Sequence, residues 1–231
     1  MHVAGLWRYP IKSLGGEPLN SAELTPDGVA GDRLVHVSGS RGPITGRSRT
    51  QLLTIPALTG PDGVALAAGV RWDSPEAAAI VRERAGEDAR LTGYAGPERF
   101  DVLNLLVATD GAVDSLGVDV RRLRPNLLIG GVPAEAEREW PGRALAIGDA
   151  VIGLHSVRQR CVVTTIDPDD GTQDPNVLRR INRDFGGELA LNAWVIQPGT
   201  VRLGEPVALV DTGAEPEAIG GWVVGAPYRV L

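Results

Sequence analysis

Thirty glycines and seventeen prolines are spread through the 231 residues of this chain, and they limit what it can become. So many turn formers imply short elements, which suits a β-rich fold better than a helical bundle. Aromatic residues are sparse at 4%, yet 43% of the chain is apolar, so a core must rest on Val, Leu, Ile and Ala. The length allows one large domain or two small ones with a substantial interior. The expected class is mainly β with short helices (α+β).

Residues 3–9 are apolar and aromatic and stop at Pro10, which reads as a strand. Further strands are expected at 21–24, before the turn Thr25-Pro26-Asp27-Gly28, and at 34–38. Residues 39–42 read as a loop, and 43–58 as extended chain or a short helix. A helix is predicted between Ser74 as cap, Pro75 at its first position and Gly86 at its end, with Ala78, Val81 and Ala85 on one face. Residues 103–109 look like a buried strand, and Thr109 or Asp110 can cap a short helix through Leu116 that Gly117 closes. Strands are expected at 127–129, at 144–154 around the turn Ile147-Gly148-Asp149, at 190–196 and at 207–210, with a helix at 176–183. Gly86, Gly93, Gly96 and Pro97 cluster where a boundary near 86–100 is plausible, giving units of 1–90 and 91–231.

The net charge of −6 argues against a general nucleic-acid binder, and no lysine–arginine cluster counters it. Nowhere do eighteen apolar residues run together, so no spanning helix is expected. Arg8 interrupts any signal-like run near Met1. The single cysteine fits a reducing compartment, and the expectation is a cytoplasmic protein. Phosphate-loop, dinucleotide and zinc-helix motifs are missing, and three scattered histidines do not suggest a histidine metal site.

Apart from Met1, two residue types occur once. Cys161 sits in Arg160-Cys161-Val162-Val163-Thr164-Thr165-Ile166-Asp167-Pro168-Asp169-Asp170-Gly171. A lone thiol makes no internal disulfide, but it can be a small buried hydrophobe, a nucleophile or one soft ligand to a metal held mainly by a cofactor. Apolar residues up to Ile152 and Leu154 give way to Arg158, Arg160, Thr164, Thr165 and Asp167, as expected of a strand delivering a thiolate into a charged pocket. On an ideal strand Arg160 points to the face opposite Cys161. A cysteine hydrolase is disfavoured, because a strand from His155 to Cys161 would separate them by about 20 Å. The other singular residue is Lys12, one lysine against 22 arginines.

The cysteine segment resembles the motif of the MOSC family, which includes the mitochondrial amidoxime-reducing component and bacterial relatives. Tyr9-Pro10-Ile11-Lys12-Ser13 and Gly28-Val29-Ala30-Gly31-Asp32-Arg33 are similar to elements of the MOSC N-terminal, β-barrel-like domain. Arg124-Pro125-Asn126, Ile147-Gly148-Asp149 and Leu203-Gly204-Glu205-Pro206-Val207 are similar to elements of the MOSC domain. Thr45-Gly46-Arg47 matches the family's Thr-Ala-Arg pattern only loosely, and Asp170 stands where many relatives have threonine. The resemblance therefore implies a MOSC β-barrel plus a smaller strand-rich N-terminal domain, with a ligand cleft between them.

It further implies a molybdenum cofactor, a molybdopterin carrying molybdenum, with Cys161 as metal ligand and catalytic centre. Lys12, Ser13, Arg33, Arg124, Asn126 and Arg160 are the implied cofactor-binding set, with Thr109 at a helix start; Asp167 is the second catalytic candidate, positioning a water or proton near the metal or simply bracing the Thr164-Thr165 loop. Arg33 and Arg124 are balanced between that role and ion pairs with Asp32 or Asp119, whereas Arg121 and Arg122 read as solvated. The implied activity is an oxidoreductase that removes oxygen from N-hydroxylated small molecules. With no further cysteines for a ferredoxin-like domain, electrons would come from an external electron-transfer protein or reductase. The alternative is a non-catalytic carrier of the cofactor or of sulfur.

Overall fold

The computed structural model describes residues 1–93 and 99–216, together with the backbone of a hairpin formed by Gly220–Trp222 and Tyr228–Val230. Gly96 and Pro97, part of the expected boundary, lie outside the described residues. The first half carries β1 (His2–Arg8), β2 (Glu17–Pro18), β3 (Ser21–Thr25), β4 (Gly28–Val29), β5 (Val35–Gly39) and β6 (Gly42–Ile44). The short meander β7 (Ala57–Thr59), β8 (Ala65–Ala67) and β9 (Val70–Arg71), then helix α1 (Pro75–Ala85) and β10 (Arg90–Gly93), complete it. The second half contains β11 (Leu105–Thr109), α2 (Asp110–Leu116), β12 (Leu127–Gly130), β13 (Arg143–Ile147) and β14 (Ala150–Gln159). It ends with α3 (Pro175–Phe185), β15 (Glu188–Gln197), β16 (Gly199–Arg202) and β17 (Ala208–Asp211). The chain is mainly β with three short helices among the described residues, as its glycine and proline content predicts.

One eight-stranded sheet organises the molecule, in the order β17-β13-β14-β15-β11-β12-β1-β2. Neighbours run antiparallel except β11 and β12, which are parallel, with Val107 opposite Leu127; α2 sits in their crossover. The sheet curls until its ends approach: His2 bridges Pro206, and the Val207 amide just before β17 donates to the Met1 carbonyl. A second sheet, β16-β3-β4, covers the interior. Val3, Leu6, Ala22, Leu24 and Val29 from the first half therefore pack in one core with Val107, Ile129, Ile152, Leu191 and Val201. The rest of the first half has its own core, in which Ile11, Leu14, Val37 and Leu52 meet α1.

Local chemistry accounts for the helices. The Ser74 side chain accepts from the Ala77 amide, Pro75 occupies the first turn, and Gly86 ends α1 with φ +110°. Its buried face is Ala77, Val81 and Ala85, not the expected Ala78. Four-residue steps from Val81 and Ala85 lead back to Ala77, the side-by-side row on a helix surface. Thr109 caps α2 by accepting from the Ala112 amide, and left-handed Gly117 closes it. Residues 43–58 resolve into the end of β6, a 3-10 turn at Thr50–Thr54 and the start of β7.

Candidate functional site

A cleft opens where loops from both halves converge. It is lined by Lys12 and Ser13 after β1, Arg33 before β5, Arg47 after β6, Phe100 and Asp101 before β11, Arg124 and Asn126 before β12, and Arg158, Arg160 and Cys161 at the end of β14. Six of these residues are cations and one, Asp101, is a carboxylate. In a chain with a net charge of −6, positive charge is thus concentrated at one concavity.

Asp101 was not singled out by any local pattern. Its Oδ1 accepts from Lys12 Nζ at 2.8 Å, and its Oδ2 from Arg47 Nη2 at 2.8 Å and Arg158 Nη2 at 2.9 Å. Burial alone would raise its pKa, but the three cations prevail and hold the carboxyl well below the usual range. Lys12 also donates to the Arg99 carbonyl at 2.8 Å. Burial pulls its pKa down to about 8, against the opposing pull of Asp101. The lone lysine is therefore a buried, tethered cation and not a solvated one.

Arg33 and Arg124 are held differently. Both have left-handed backbones, φ +53° and +57°, as does Ser13 at +72°. These are three of only six non-glycine residues with positive φ among the described residues. Asp32, 1% exposed, pairs with Arg33 and accepts from the Tyr9 amide at 2.7 Å and Asn126 Nδ2 at 3.2 Å. Arg124 makes no ion pair with Asp119; its guanidinium carbon lies 4.3 Å from the centroid of the Tyr9 ring, and that of Arg33 lies 5.0 Å from it. Burial lowers the Arg124 pKa to about 10 and raises that of Tyr9 to about 12, the latter opposed by the two arginines. Asn126 lines the cleft, but its amide is structural: Oδ1 accepts from the Leu106 amide at 3.1 Å while Nδ2 reaches Asp32.

Cys161 is half-buried at the mouth of a turn. Strand β14 ends at Gln159, and Cys161 precedes a 3-10 turn (Val162–Thr165) whose Thr164 amide and hydroxyl both donate back to the Cys161 carbonyl, at 3.0 and 2.8 Å. Because the strand has ended, Arg160 and Cys161 are not on opposite faces, and both line the cleft. Arg160 donates through Nη2 to the Leu123 carbonyl at 2.7 Å, whereas its buried Nε has no partner among the described residues. Burial, helped by the neighbouring Arg158 charge, lowers the Arg160 pKa to about 10.

Two expected site residues fall outside this lining. Thr109 is fully buried, its hydroxyl spent on Glu137 and on the α2 cap. Asp167 accepts from Arg122 Nη2 at 2.8 Å and from the Asp169 amide at 2.9 Å, so it braces the loop after Cys161. Arg122 is not solvated: its side chain is 12% exposed and also donates to the Thr165 carbonyl at 2.9 Å. Arg121 pairs with Asp119 and Asp169. His155 contacts Ser156 and is not part of the cleft.

The donor set suits an anionic ligand with a soft metal centre. A thiol-bearing residue lies among cations, and neither the buried Arg160 Nε nor the Arg124 guanidinium has a hydrogen-bond acceptor among the described residues. Residues 1–92 match the MOSC N-terminal beta barrel domain and residues 97–208 the MOSC domain. Mitochondrial amidoxime-reducing component 1 of Homo sapiens is 24% identical over 284 aligned positions, covering 90% of this chain and 82% of that protein. Its Mus musculus counterpart is 26% identical with the same coverage. The YuaD protein from Bacillus subtilis aligns structurally over 91% of this chain and 96% of its own at 14% identity, with a TM-score of 0.49.

Proposed function

This chain belongs to the MOSC family, and on that premise we propose that it is a molybdenum cofactor-dependent oxidoreductase that reduces N-hydroxylated small molecules. The observation that carries the reading is the six-cation cleft around the only thiol in the chain. Cys161 would ligate the metal, and Arg124, Arg160 and Arg33 would hold the anionic part of the cofactor. Lys12 and Ser13 line the same cleft. When bound, the cofactor supplies oxygen-atom transfer and two-electron redox chemistry.

The rest is the work of the chain. Asp101 places one negative charge among Lys12, Arg47 and Arg158 and offsets their mutual repulsion. The hydrogen bonds from Thr164 to the Cys161 carbonyl fix where the thiol enters. Arg122 and Asp167 brace the loop that follows. The overall reaction is a two-electron, two-proton reduction in which an N–O bond breaks and the oxygen leaves as water. Electrons come from an external electron-transfer protein or reductase.

The test is to purify wild type and Cys161→Ser from cofactor-producing cells and measure molybdenum and pterin per chain. Reduction of an amidoxime with an artificial electron donor is then assayed. Near-stoichiometric metal with turnover in the wild type, and loss of both in the variant, is the expected result. A loaded wild type without turnover would instead make the protein a carrier of the cofactor, and wild type that takes up no cofactor would sink both readings.

A further inference from the structure

The cations of the cleft divide by how their charge is met. Lys12, Arg47 and Arg158 share the Asp101 carboxylate, and Arg33 pairs with Asp32. Arg124 pairs with no carboxylate among the described residues; it lies against the Tyr9 ring, with Arg33 near the same ring. A ring face attracts a guanidinium without consuming its N–H groups, whereas a carboxylate occupies the same edge that would bind a ligand. We propose that Tyr9 is a positioning residue, whose ring holds Arg124 and Arg33 with Arg124's N–H edge kept free for the oxyanion of a phosphomonoester-type ligand group.

The surroundings of Tyr9 are built to fix that ring. Its hydroxyl donates to the Pro125 carbonyl at 3.1 Å, next to Arg124 itself, and its amide donates to Asp32, which also pairs with Arg33. Tyr9 thus ties together the two segments that carry the arginines. Gly16 presses its bare Cα on the ring: a Cβ there would come within 2.4 Å of Tyr9 Cε1. The ring is 2% exposed, so it does not itself touch a ligand in solvent. The left-handed backbones of Arg33 and Arg124 aim both side chains from their loops, and the ring fixes where the guanidiniums stop. This role rests on the cofactor reading for the identity of the anion, but not for its measurement.

The experiment titrates the full chain, free of cofactor, with inorganic phosphate by calorimetry, comparing wild type, Tyr9→Phe, Tyr9→Leu, Arg124→Gln and the double variant Tyr9→Leu/Arg124→Gln. Tyr9→Phe keeps the ring and is expected to bind within about twofold of wild type. Tyr9→Leu is expected to weaken binding about tenfold in the wild-type background but to have no further effect once Arg124 is gone, as coupled residues behave. If the leucine variant fails to fold, Tyr9→Met fills the volume without a ring and takes its place. Undiminished binding in the ring-less variant overturns the proposal. So does an equal loss with and without Arg124, a loss in Tyr9→Phe as large as in Tyr9→Leu, or a wild type that binds no phosphate. No metal or turnover enters the readout, so the cofactor reading and this one fail separately.

Discussion

Asp101 accepts hydrogen bonds from cations contributed by three distant stretches of chain, so its removal is felt on both sides of the cleft. Asp101→Asn removes the counter-charge that Lys12, Arg47 and Arg158 share. The expected destabilisation is about 2 kcal/mol, below the range for fully buried pairs because the carboxyl is about one-third exposed. The pH dependence has a definite sign. The folded-state pKa lies below the ordinary 3.8, so the stability Asp101 contributes is present above that value and is lost as pH falls below it. Acid unfolding followed by circular dichroism should therefore begin less steeply below pH 4 in the variant than in the wild type, taken relative to each protein's stability at pH 7. Lys12 makes the opposite kind of prediction. It is protonated below about 8 and neutral above it, so sulfate, whose own charge is constant, should bind progressively more weakly as pH rises through 8. Lys12→Met should flatten that dependence in a calorimetric titration at pH 7 and 9.

At the scale of elements, the turn after Cys161 is held by Arg122, which bonds both the Thr165 carbonyl and Asp167, and by Asp174, the cap of α3, whose amide donates to the Thr165 carbonyl. Arg122→Ala should speed amide hydrogen exchange at residues 164–171 while leaving the eight-stranded sheet protected. Unchanged exchange would mean that α3 alone fixes the turn. These elements also show what sequence can and cannot disclose. Ser74, Pro75 and Gly86 announced α1 because capping is local chemistry. Lys12 and Cys161 stood out because each is the sole residue of its type, and both line the cleft. Asp101 carried no signal, since its partners at 12, 47 and 158 become neighbours only through tertiary structure. Arg122 read as solvated for the same reason, and β16 was missed because four residues between turns carry too little periodicity.

The whole molecule is more entangled than two consecutive units suggest. Strand β1 pairs with β12, with Leu6 opposite Leu127, and β3 pairs with β16, with Ala22 opposite Val201. A fragment of residues 97–208 would leave Ile129, Ile152 and Leu191 without Val3, Leu6 and Leu24. Expressed alone, it should lack a cooperative thermal transition and bind hydrophobic dye, whereas mixing it with residues 1–92 should restore a transition. A fragment that melts cooperatively by itself would show that the large core tolerates the loss.

The same pairing sets an order in time. His2 meets Gly130 only after the intervening chain exists, and the bond from Val207 to Met1 waits longer still. Contacts of such sequence separation close late and slow folding, because the entropy of the long loop is lost before the pairing rewards it. Residues 11–89 have a core of their own and can collapse early around α1. Lys12 and Cys161 line one cleft from far-separated stretches of chain, so cleft assembly belongs with the late, long-range contacts and is expected to lag the collapse of residues 11–89.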